Sequence, residues 1–103
     1  MIFRRRFADV IRTQVDLFVQ EEAELIRDCE QAELAYDRAE RDEAEERYGD
    51  YLDLVETGTE ILAGLRDAYA GRLEEDAAER YVAEFNRAAA RRLPRFASEL
   101  LTE

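Results

Sequence analysis

The stretch FRRRFADVIRTQVDLFVQEEAELIRDCEQAELAYDRAERDEAEER, residues 3–47, decides the reading of this chain, because it holds neither Gly nor Pro and repeats apolar residues at helical spacing. Ile11, Val15, Phe18, Leu25, Cys29, Ala32, Tyr36 and Ala39 follow one another in alternating steps of four and three, with Glu22 in the seam between Phe18 and Leu25. This is coiled-coil spacing and predicts one continuous helix over residues 3–47, about 67 Å long at about 1.5 Å per residue. Phe3, Phe7, Val10 and Leu17 add a second stripe, continued through Gln14, so the apolar face of the first half is wider than two packed helices require. Leaving such side chains in water forgoes roughly 1.5–3 kcal/mol each, so a later segment or a second copy must cover them.

From Glu30 to Arg47 the apolar content thins and acids alternate with arginines. Glu43 with Arg47 and Asp37 with Arg41 stand at i, i+4 in the favourable order. Gly49 suits a helix end and Asp50 a cap, which predicts a tight turn at 48–50. A second helix is expected over 51–70, where Gly58 and Gly64 suggest close approach of another backbone. After Gly71, the acids Glu74, Glu75 and Asp76 favour the start of a third helix over 74–92, with Arg87, Arg91 and Arg92 in its last turns. Pro94 stops it, and a short helical turn over 95–101 places Phe96, Leu100 and Leu101 on one face.

The expected architecture is therefore all-α and a single domain over residues 1–103: a long N-terminal helix with two shorter helices packed antiparallel on it. One geometry runs the second helix back along the distal half and the third along the proximal half. The other folds the third beside the second as a three-helix bundle and leaves the N-terminal face for another chain. Both leave apolar surface on one molecule, which predicts a homodimer with a helical bundle at its centre.

Charge is distributed unevenly. The chain of 103 residues carries a net −11, with charged residues at 40% and apolar ones at 47%, the balance of an amphipathic helical protein rather than of a disordered one. Residues 20–60 hold sixteen acids against four arginines, net −12, whereas residues 1–19 are net +2 and residues 86–97 net +4. Such a chain is ill suited to free nucleic acid, whose binding rests on neutralising phosphates, and better suited to a basic protein surface. An anionic-lipid anchor through Ile2, Phe3, Arg4, Arg5, Arg6 and Phe7 is opposed by the same net charge. With Asp9, Arg12 and Asp16 interrupting the N-terminal apolar residues, neither a signal segment nor a membrane span is expected, and the reading is cytoplasmic.

The side chains that most chemistries need are missing. No His is present, which removes Ser/His and Cys/His catalysis and the Glu-x-x-His pairs of di-iron bundles. Cys29 is alone on the apolar seam, so it reads as a small buried hydrophobe, and thiolate zinc sites and disulfides within the chain are excluded. Phosphate-cradling glycine loops are absent. What remains is carboxylate: Glu21 and Glu24 in QEEAEL, then Glu46, Asp50, Asp53 and Glu56 in EERYGDYLDLVE.

That pattern resembles the all-α nucleotide pyrophosphohydrolases of the MazG type, with Asp50-x-x-Asp53 as the second motif and Arg47 where a Glu would precede Asp50. The resemblance implies magnesium held by the two acidic pairs beside a triphosphate. On a continuous first helix, however, Glu21 lies roughly 39 Å along the axis from a turn at Asp50, so the motifs meet only if that helix bends or two chains lie antiparallel. Glu22 in the seam is a candidate register-setting residue that Arg80 or Arg87 could pair. The expected function is a non-enzymatic, dimeric helical interaction or scaffold protein that presents an acidic coiled-coil-like hairpin to a protein partner, with no catalytic, metal or cofactor-binding residue assigned. The alternatives are the magnesium-dependent hydrolase and an acidic mimic of nucleic acid.

Overall fold

A computed structural model describes residues 6–100 and contains five helices with no strand among those residues. They are α1 (Ala8–Glu21), α2 (Ala23–Asp37), α3 (Ala44–Ala70), α4 (Glu75–Arg92) and α5 (Pro94–Ala97). The expectations for Ile2, Phe3, Arg4, Arg5 and Leu101 fall outside the described residues.

The long first helix is interrupted twice. At Glu22 (φ −106°, ψ 28°) the backbone leaves helical geometry for one residue, although its N–H still donates to Phe18 O at 2.8 Å and its carbonyl accepts from Ile26 at 2.9 Å. This polar seam residue, a candidate for setting register, instead marks a break in the helix. At Arg38 to Glu43 the chain reverses. Tightened bonds close the ends of the turn, Ala39 N–H to Tyr36 O at 3.1 Å and Glu43 N–H to Glu40 O at 2.9 Å.

The turn expected at 48–50 is thus corrected to residues 38–43, and Gly49 and Asp50 lie inside α3. Local propensity misleads here. Arg, Ala and Glu are good helix formers, but DRAERDE offers a longer rod only Ala39 to bury, whereas reversal lets α2 pack along α3. Rings then meet across the pair, Tyr36 on Tyr48 with centroids 5.1 Å apart. The moved turn also removes the expected ion pairs, and Arg47 instead approaches Asp50 at 4.0 Å.

The third expected helix is found as α4 with nearly the predicted bounds, and its charges sit where the helix dipole favours them, Glu75 and Asp76 first and Arg91 and Arg92 last. It packs on both α1 and α3. Phe7 meets Tyr81 edge-on at 5.4 Å while Asp16 pairs with Arg92 at 2.8 Å, so α1 and α4 run the same way. Pro94 opens α5, where its missing N–H costs nothing, and α5 folds back onto α3.

The wide apolar face of the first segment is therefore covered from within the chain: Phe7, Ile11, Val15 and Phe18 are buried together with Tyr81, Phe85, Ala89, Phe96 and Leu100. Of the two covers that this face allowed, a later segment of the same chain is the one found. Leu17 from the same second stripe is left 41% exposed. The molecule is elongated, 53 × 24 × 23 Å: a body of α1, α4, α5 and the C-terminal half of α3, extended by the α2–α3 pair.

Candidate interaction surfaces

One face of α3, spaced at three and four residues, receives the C-terminal segment: Gly58, Thr59, Leu62 and Arg66 are its buried residues. A Cβ at Gly58 would run into the Phe96 ring, so the glycine admits an aromatic ring where the spacing had suggested another backbone. Gly64 meets nothing within 4 Å. The Thr59 hydroxyl donates to Phe96 O at 2.8 Å. Arg66, 7% exposed, donates to Asp67 at 2.8 Å and to the Asn86 side-chain oxygen at 3.0 Å, and the Asn86 amide donates to Leu100 O at 3.3 Å. Buried polar groups must be satisfied, and here they tie α3, α4 and the C-terminal turn together. Arg95 extends the tie to the arm: it contacts Glu33 on α2 at 3.1 Å and lies over the Tyr51 ring at 5.6 Å.

Cys29 is fully buried, and burial raises its thiol pKa despite the opposing charge of Arg95. Its place is that of the small hydrophobe expected from the seam.

The carboxylates of the hydrolase-like pattern are not gathered. The helix does reverse, but Tyr36 opposite Tyr48 fixes the register of α2 on α3. Asp50 then faces the region of Leu34, leaving Glu21 about 20 Å away along the axis at about 1.5 Å per residue. Glu21, Glu24, Glu46, Asp50, Asp53 and Glu56 are all exposed. Among the described residues, no group of three or more His, Cys, Asp or Glu is placed to hold a metal ion.

Two surfaces stand out instead. The first is the α2–α3 arm, within the net −12 segment, which carries four large exposed apolar side chains: Leu34 (46%), Tyr36 (39%), Tyr48 (44%) and Leu52 (43%). The second is a groove of about 450 Å³ between α1 and α4, floored by Ile11, Val15 and Ala88 and rimmed by Arg12, Arg87, Arg91 and Arg92, with Glu84 also on its wall. Arg12 pairs with Asp9 at 2.7 Å and Arg92 with Asp16 at 2.8 Å. Arg87 and Arg91 stand one turn apart and form none of the ion pairs among the described residues.

Sequence reasoning counted this basic stretch and placed Arg87, Arg91 and Arg92 at a helix end, but did not bring them beside α1 as a groove. The available signal was the run of four arginines without an acid over residues 86–97 in a strongly acidic chain. No helix among the described residues is long and apolar enough to cross a membrane. No protein-family model, curated protein or solved structure matches this chain.

Proposed function

We propose that this chain is a non-enzymatic helical interaction or scaffold protein of the cytoplasm, acting as a homodimer and offering its acidic α2–α3 arm to a basic protein partner. One observation carries the reading: the arm combines the molecule's densest negative charge with four of its large exposed apolar side chains. Charge of one sign steers and selects a partner of the other, while apolar side chains standing among those charges supply the contact that holds it. The lack of His and the distance of Glu21 from Asp50 among the described residues support reading these carboxylates as a charged surface.

The test is affinity capture from an extract of the source cells at low and high ionic strength, with the full chain and with Glu24→Arg/Asp28→Arg, two exposed α2 acids one turn apart. A basic protein should be retained at low salt and lost both at high salt and with the double variant. Retention that ignores both salt and the variant would refute the acidic arm as the binding surface.

A further inference from the structure

We infer that the arginine-rimmed groove between α1 and α4 is the seat for the acidic arm of a second copy of this chain, and that this contact is the dimer interface. The inference rests on the dimeric reading above and specifies its geometry.

The groove is about two helical turns long on each wall; Ile11 and Val15 line its base but are only 2% and 1% exposed, so the apolar surface it offers is that of the half-buried Ala8 and Ala88. Such a groove accepts one apolar face of a helix. Its rim is basic, four arginines against Glu84, and the guanidinium groups of Arg87 and Arg91 have no carboxylate of their own among the ion pairs seen. The occupant must therefore be a helix with two or three apolar side chains flanked by acids.

One surface of this chain has that pattern. Glu45, Tyr48, Leu52 and Glu56 follow on α3 at steps of three, four and four, all four exposed. Tyr48 and Leu52, one turn apart, are placed over the small side chains Ala8 and Ala88 between the arginines. Glu45 and Glu56, spanning about 16 Å, reach beyond it to the rim. In the single chain the arginine rim and the arm's Glu45, Tyr48, Leu52 and Glu56 are all exposed, and they sit in different parts of a molecule 53 Å long. Two copies side by side and antiparallel make the contact twice, as a two-fold dimer does. That doubling suits a contact too small alone for a stable interface of about 1,200–2,000 Å². The contact takes up Tyr48 and Leu52, so in the dimer the basic partner meets the α2 side of the arm, where Glu24, Asp28, Leu34 and Tyr36 stay exposed.

The experiment uses the purified full chain, light scattering at micromolar concentration, and two exposed-site variants whose helicity is checked by circular dichroism: Arg87→Glu/Arg91→Glu in the groove and Glu45→Arg/Glu56→Arg on the arm. The parent should run at twice the 12.0 kDa of one chain. Each variant alone should run as a monomer, with dimer affinity reduced roughly tenfold or more. An equimolar mixture of the two should recover the dimer, since one contact is the parental pair and the other has both charges reversed. Should a glutamate pair disturb folding, Arg87→Gln/Arg91→Gln reads the same contact.

A parent that is monomeric overturns both this inference and the dimeric reading. A parent dimer that survives both variants overturns the seat alone. Monomeric variants whose mixture stays monomeric overturn the pairing of groove with arm, and assign the groove to a different acidic helix.

Discussion

Gly58 and Gly64 are alike in sequence and opposite in circumstance. Alanine at Gly58 would drive its Cβ into the buried Phe96 ring, and overpacking of that kind costs about 1–3 kcal/mol, so Gly58→Ala should lower the denaturation midpoint. Gly64 is exposed with nothing within 4 Å, and Gly64→Ala should stabilise by about 0.5–1 kcal/mol through helix propensity. Equilibrium urea unfolding of the two variants reads both signs.

Tyr81 is fully buried, with its hydroxyl 2.8 Å from the Gln14 side-chain oxygen, and burial pushes its phenol from an ordinary 10.0 up to about 12. Below the ordinary value both folded and unfolded chains hold the proton, so stability does not change with pH through this group. Between about 10 and about 12 only the folded chain keeps it, and stability falls as pH rises. Cys29 acts in the same sense from its ordinary 9.0. Since all fifteen basic residues are Arg, no lysine titration overlays this range. Tyr81→Phe should lose about 0.5–1.5 kcal/mol near neutrality with its hydrogen bond, and should show a shallower decline in stability across the alkaline range.

Among the elements, α5 is the shortest, yet it closes the body. Phe96 fills the space above Gly58, stacks edge-on against Phe18 at 5.5 Å, and its carbonyl accepts from Thr59. Phe96→Ala should cost about 3–5 kcal/mol, a large share of the 5–15 kcal/mol that holds an ordinary domain together. Arg95 beside it couples the same element to α2 and α3. Removing that tie by Arg95→Ala should raise the rate at which the buried Cys29 thiol is labelled under native conditions, because labelling requires local opening. A labelling rate equal to that of the parent would show that Arg95 does not hold the arm to the body.

At the scale of the molecule, the Cα radius of gyration is 15.9 Å, against about 13 Å for a compact domain of this size. Solution scattering from the monomeric groove variant Arg87→Glu/Arg91→Glu should give a value near the former. A value near the latter would mean that the arm folds back on the body. The elongation follows from α3, whose 27 residues span about 40 Å while the body covers mainly its C-terminal half.

All-α character, the start of α4 at the acids of 74–76, the stop at Pro94, the burial of Cys29 and the acidic middle of the chain were legible in the residues alone. Each follows from local rules of periodicity, dipole, proline geometry or composition. The place of the reversal was not, because DRAERDE holds no Gly or Pro to stop a helix, and the chain turns there as α2 gains the face of α3. Nor was the cover over Phe7, Ile11, Val15 and Phe18, which could have come from α4 and α5 or from another chain with the same sequence pattern. The arginines of the groove were visible as charge, but their meeting with Ile11 and Val15 required α1 and α4 to lie side by side. Local rules specify which residues seek burial or charge; only tertiary packing decides which partner each of them finds.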